Sequence, residues 1–173
     1  APADAVTYNA AVSAAGQGGR WELALSLLEE MERRRLRRDA TSFGAAITAC
    51  ERGRRWALAL RLLGDLRLSE LESDEIAFSA AISACEKCQE WEAALHLLSE
   101  MRRRAVRSGA VAYSAAMSAC EKSRRWEAAL LLYADMCRRS AGGSTIACNA
   151  AISACEKGCR WELALWLFRD MAE

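Results

Sequence analysis

The chain has 173 residues, with 24 Lys and Arg against 23 Asp and Glu and a single His. A dedicated nucleic-acid binder is usually more basic overall, and no apolar run approaches the ~20 residues that span a membrane. Nothing resembles a signal peptide, and no Ser/His/Asp set, paired-carboxylate site or phosphate loop can be assembled, so no enzyme is expected.

Residues 1–5 read as the end of a preceding repeat, and the chain, which opens on Ala1, reads as a piece of a longer array. Tyr8, Ala11, Val12 and Ala15 then fall at i, i+3, i+4 and i+7, an apolar helical stripe. Gly16, Gly18 and Gly19 break it. Trp21, Ala24, Leu25, Leu28 and Met31 make a second helical stripe, widened by Leu23 and Leu27. The pattern then repeats without slipping: Trp21, Trp56, Trp91, Trp126 and Trp161 lie 35 residues apart. Tyr8, Phe43, Phe78, Tyr113 and Cys148 keep the same step, as do Met31, Leu66, Met101, Met136 and Met171. A period of this size marks a solenoid or related array. The units are residues 6–40, 41–75, 76–110 and 111–145, with an incomplete fifth at 146–173.

Each unit is a helix hairpin, and stacking hairpins buries apolar faces that one unit could not bury alone. No strand pattern occurs, so the expected fold is all-α, a single array of stacked hairpins. Asp4, Asp39, Asp74, Gly109 and Ser144 precede the first helices and are all acceptable N-caps. Rows of Ala in the first helices allow close helix approach. The Trp row is expected to fill the space between units, so that Trp91→Ala would cost about 3–5 kcal/mol.

Polar residues of the first helices follow i, i+4, i+8, one side of a helix. The triplets are Asn9, Ser13, Gln17; Gly44, Thr48, Arg52; Ser79, Ser83, Lys87; Ser114, Ser118, Lys122; and Asn149, Ser153, Lys157. All three lysines of the chain therefore share one row. Glu30, Asp65, Glu100, Asp135 and Asp170 form an acidic row on the second helices, expected to be solvated surface, and His96 varies too much among units to carry chemistry. Cys85-x-x-Cys88 and Cys155-x-x-x-Cys159 look like half-sites for zinc, but no second CxxC pair accompanies either. Small buried thiols in a reducing compartment are the expected state of the cysteines, with no metal or other cofactor.

The unit running from Val6-Thr7-Tyr8-Asn9 through Arg20-Trp21-Glu22-Leu23-Ala24-Leu25 to Glu30-Met31 closely resembles the pentatricopeptide repeat, over essentially the whole chain. Two departures are the Trp after each turn and the missing Pro before the terminal Asp. The resemblance implies a right-handed α-solenoid that binds single-stranded RNA, one base per repeat, by a code of two or three side chains. It also implies a place in a mitochondrion or plastid, in RNA processing, stability, editing or translation. By residue, it implies base-reading pairs Asn9 with Asp39, Gly44 with Asp74, Ser79 with Gly109 and Ser114 with Ser144, with Asn149 unpaired. Val6, Thr41, Ile76, Val111 and Ile146 match the residues that sandwich bases. Arg52, Lys87, Lys122 and Lys157 match phosphate-contacting positions. The second class of function is a protein-interaction scaffold that takes a peptide partner in its groove. Neither class calls for a membrane or a small-molecule substrate.

Overall fold

A computed structural model describes residues 4–69, 75–139 and 145–170. Asp74, Ser144 and Met171 lie outside the described residues. Ten helices and no strand occur among those described: α1 (Ala5–Gln17), α2 (Trp21–Arg33), α3 (Ala40–Arg52), α4 (Trp56–Leu68), α5 (Glu75–Cys88), α6 (Trp91–Arg103), α7 (Ala110–Lys122), α8 (Trp126–Arg138), α9 (Thr145–Lys157) and α10 (Trp161–Asp170). None is long and apolar enough to cross a membrane. Each Trp opens the second helix of its hairpin, as the spacing predicts.

The chain forms two compact units, Ala1–Ala84 and Cys85–Glu173. In the first, α1 packs on α2 and α3, and α3 packs on α4; in the second, α7 packs on α6, α8 and α9, and α9 on α10. Local signals set the helix ends. The Asp4 carboxylate accepts from Thr7 N–H at 2.9 Å and Asp39 from Ser42 N–H at 2.8 Å, while Gly109 caps α7 with backbone alone. Between the two helices of a hairpin, Gly19, Arg54, Gln89, Arg124 and Cys159 take positive φ, and the next residue's N–H reaches back to close the turn.

The core contains both rows expected from the stripes. Tyr8, Phe43, Phe78, Tyr113 and Cys148 are buried, and so are Met31, Leu66, Met101 and Met136. Cys50, Cys85, Cys120 and Cys155 are fully buried, and burial pushes the thiols of Cys50 and Cys120 up to about 11 and that of Cys85 to about 12. Such thiols are inert packing groups.

Two expectations are corrected. Trp21, Trp56, Trp91 and Trp126 are only half-buried, and Trp161 is 65% exposed. The indoles of Trp21, Trp91 and Trp126 lie against the turn of the following hairpin rather than inside the core. Trp21 meets Gly53 and Trp126 meets Gly158 so closely that no side chain would fit there. Their outer faces are covered by guanidinium groups: Arg55 lies 4.6 Å over Trp21, Arg125 4.7 Å over Trp91 and Arg160 4.6 Å over Trp126. With part of the side chain still in solvent, Trp91→Ala should cost roughly 2 kcal/mol rather than the value for a fully buried aromatic. Thermal unfolding checks this; a loss of about 4 kcal/mol or more would return Trp91 to the core.

Two members of the acidic row, Glu100 and Asp135, are not solvated surface either, while Asp65 keeps 43% of its side chain exposed. Glu100 is 4% exposed and receives Arg104 at 3.0 Å. Asp135 accepts from Tyr113 Oη at 2.8 Å, Arg102 at 2.7 Å and Arg139 at 3.1 Å. Burial alone would raise its pKa, but the hydrogen bonds from Tyr113, Arg139 and Arg102 outweigh it and hold the carboxyl below the usual aspartate value. Glu30 is likewise lowered by its hydrogen bond from Arg34. These carboxylates sit four residues before an Arg near the helix end, so each closes an i,i+4 pair.

On α10, Trp161, Leu165 and Phe168 are 65%, 54% and 63% exposed. The residues that share Phe168's repeat position (Leu28, Leu63, Leu98 and Tyr133) are all buried.

Candidate nucleic-acid interface

Helix spacing predicts one polar side on the first helices, and packing decides what that side contains. In the first unit, the contact of α1 with α3 brings Asn9 beside Asp39, which caps α3. Asn9 Nδ2 donates to Asp39 Oδ2 at 2.8 Å. The pair implied by resemblance is therefore a real contact between residues 30 apart in sequence. A third group completes it: Ser42 Oγ lies 2.6 Å from Asn9 Oδ1 and 2.5 Å from Asp39 Oδ1.

The next repeat has a gap where the first has an amide. A Cβ built on Gly44 would meet nothing within 4 Å. A cavity of about 300 Å³ opens there, lined by Ser13, Gln17, Thr41, Gly44, Thr48 and Ile76. Asp74, assigned to Gly44 by the resemblance, lies outside the described residues. Ser79 is less favourable than expected, because its hydroxyl is enclosed and has no hydrogen-bond partner. Turning it towards a ligand requires a rotamer change. In the second unit, Ser114 and Gly109 are half-buried and Asn149 is exposed. Ser144, the assigned partner of Ser114, is outside the described residues.

The aliphatic row is solvated. Val6 is 74% exposed, Ile76 68%, Val111 64% and Ile146 67%, with Thr41 exposed at the same repeat position. Isolated exposed apolar residues need no explanation. Large aliphatics at one position in four repeats, one turn from the polar row, do.

The cationic row is not free. Lys157 Nζ lies 2.7 Å from Glu121 Oε1, and Lys122 pairs with Glu86 in the same way. Ser153 Oγ also donates to Glu121, at 2.9 Å. Arg52 donates to the Gln17 carbonyl, and Lys87 is engaged as well. Each observed Lys–Glu pair joins one repeat's first helix to that of the repeat before. Sequence reasoning missed these carboxylates, although the signal was present: Glu51, Glu86, Glu121 and Glu156 each stand directly before a member of the cationic row. The charge that an anionic ligand meets is therefore reduced. Changing Glu86 and Glu121 together to Gln should strengthen binding to a single-stranded polyanion by about threefold per site, since an exposed pair is worth up to about 1 kcal/mol. Fluorescence anisotropy at fixed salt measures it, and weaker binding would show that the carboxylates position the lysines instead of competing for them.

A family model described as PPR repeat matches residues 6–36, 76–106, 111–140 and 146–173. More than half of the chain is covered, and the chain belongs to the pentatricopeptide repeat family. The matched segments omit the second repeat, whose α3–α4 hairpin nonetheless begins on the same 35-residue step. No curated protein matches the chain. Among solved structures it is similar to the pentatricopeptide repeat protein PPR10 from maize, with TM-score 0.82 and 17% identity over 96% of this chain and 24% of that one. It is also similar to the PPR domain of Arabidopsis thaliana protein-only RNase P 1, solved in complex with tRNA, with TM-score 0.77 and 12% identity over 94% of this chain and 87% of that one. PPR10 in complex with an 18-nt psaJ RNA element gives TM-score 0.75 at 18% identity, over 95% of this chain and 24% of that one. The chain thus spans about a quarter of PPR10. At these identities the likeness establishes the all-α hairpin fold and nothing finer.

Proposed function

We propose that this chain is a non-catalytic module that binds single-stranded RNA through its first helices. The observation that carries the reading is the solvated aliphatic row of Val6, Ile76, Val111 and Ile146 beside a row of small polar residues. Flat apolar surface next to hydrogen-bonding groups suits an unstacked base, which needs both faces covered and its edge read. Thr41 and Ile76 flank the Gly44 cavity in just this way. Family membership and the RNA named with the solved relatives support the reading.

In this reading Asn9–Asp39, Gly44–Asp74, Ser79–Gly109 and Ser114–Ser144 face successive bases, and Arg52, Lys87, Lys122 and Lys157 face phosphates. The repeats run 6–40, 41–75, 76–110, 111–145 and 146–173, and their RNA belongs to a mitochondrion or plastid, on the strength of the family alone. The test is the double variant Ile76→Ser with Val111→Ser. Removing two apolar faces should weaken binding to an unstructured oligoribonucleotide by roughly 1 kcal/mol per site, with the melting temperature held or raised because neither residue is buried. Unchanged affinity would turn attention to the peptide-scaffold reading, which the Lys–Glu pairing favours.

A further inference from the structure

Ser42 is fully buried, and with Glu100 it is one of two buried polar residues among the described core. Its hydroxyl is 2.6 Å from Asn9 Oδ1 and 2.5 Å from Asp39 Oδ1, while its backbone N–H already serves Asp39 Oδ1 at 2.8 Å. The carboxylate oxygen keeps a donor when the hydroxyl proton turns to Asn9. The other end of the amide is held as well, by the donation of Asn9 Nδ2 to Asp39 Oδ2 at 2.8 Å. Inverting the amide would set its oxygen against the acceptor-only Asp39 carboxylate, whereas Ser42 Oγ, which can donate or accept, bonds the far end of the amide in the observed orientation. Asp39 therefore selects the orientation, and Ser42 holds the other end of the amide in place. This arrangement leaves Asn9, which is half-buried, with one N–H and one lone pair uncommitted, a donor beside an acceptor.

We infer that Ser42 is a positioning residue that locks the Asn9 amide in the orientation read by the base of the first repeat. The inference rests on the RNA-binding reading above. Ser42 belongs to the second repeat in sequence but serves the first. The row it occupies reads Thr7, Ser42, Ala77, Ala112 and Ala147. The three alanines follow Gly44/Asp74, Ser79/Gly109 and Ser114/Ser144, none of which contains an amide to orient. Where the row holds a hydroxyl, it bonds an Asp: Thr7 Oγ1 donates to Asp4 at 2.8 Å. Asp74 is nonetheless followed by Ala77, so an Asp alone does not call for a hydroxyl, and at Ser42 the hydroxyl also meets an amide.

The experiment uses the whole chain and two readouts. Solvent exchange of the Asn9 side-chain NH₂, followed by nitrogen–proton NMR, reports the lock without RNA. Competition between oligoribonucleotides that differ only by uridine, the base that the family resemblance assigns to an Asn with an Asp, or cytidine opposite the first repeat reports base choice. Ser42→Ala should speed the exchange and reduce the uridine preference by about three- to tenfold, the worth of one hydrogen bond, leaving affinity for the cytidine strand nearly unchanged. Ser42→Thr should restore both. An Asn9 signal unaffected by Ser42→Ala overturns the inference, as does an equal loss of affinity for all bases, which would mark a purely structural hydroxyl. If Ser42→Ala frees the Asn9 amide while the wild-type chain shows no base preference, the lock stands and the RNA code is the part that fails.

Discussion

Replacing Arg52, Lys87, Lys122 and Lys157 together with Gln should flatten the salt dependence of RNA binding. A phosphate contact on a single strand contributes about −0.7 to the slope of log affinity against log salt, so four contacts account for about −3. Binding of the wild-type chain should consequently weaken by well over an order of magnitude between about 50 and 200 mM salt, and that of the quadruple variant far less. The loss should be similar for every sequence, because phosphates carry no base information. The ion pairs of Lys122 with Glu86 and Lys157 with Glu121 set an upper limit on the effect. A cation that exchanges a carboxylate for a phosphate releases fewer counterions than a free one, so a wild-type slope between −3 and zero measures how far the glutamates compete. An identical slope in the quadruple variant would remove the row from the RNA path.

The second large effect concerns base choice at the first repeat. In the family an Asn with Asp reads uridine and a hydroxyl with Asp reads guanine, so Asn9→Ser with Asp39 retained should move the preference from uridine to guanine. A well-made base contact discriminates by about 1–3 kcal/mol, which competition binding resolves. The shorter side chain no longer reaches both Asp39 and Ser42, so some affinity should be lost along with the switch. No wild-type uridine preference, together with no change in the variant, would mean that this code does not operate in the chain. By the same code Ser114 with Ser144 should lean towards adenine more weakly. Gly44 has no side chain to offer a base edge, and the enclosed Ser79 hydroxyl is poorly placed to do so, which makes the second and third repeats the weakest readers.

How much of this was legible beforehand differs by residue. Val6, Ile76, Val111 and Ile146 could be assigned to a base-facing row only by resemblance. Their exposure of 64–74% is what makes the row physically unusual. Asn9 and Asp39 could be paired by the same resemblance, yet nothing local predicted that Ser42, buried and 33 residues from Asn9, would complete the group. The lysine row was visible from i+4 spacing. Its partners were not, because Glu86 and Glu121, each directly before a cation in sequence, meet the lysine of the next repeat instead.

The amino-acid sequence by itself determined the 35-residue hairpin unit, the all-α class, the start of every second helix at a Trp, the buried Tyr/Phe and Met rows and the capping Asp at α1 and α3. These depend on spacing within one helix or on an exact repeat, both of which translate directly into geometry. Only the tertiary structure decided that Trp21, Trp91 and Trp126 are half-buried beneath arginines, that Glu100 and Asp135 are enclosed by their partners, and that Asn9, Asp39 and Ser42 form one network. Each of those outcomes depends on how close neighbouring hairpins approach and which side chain spans the gap. A periodic pattern places residues in rows, but the distance between rows is set by packing.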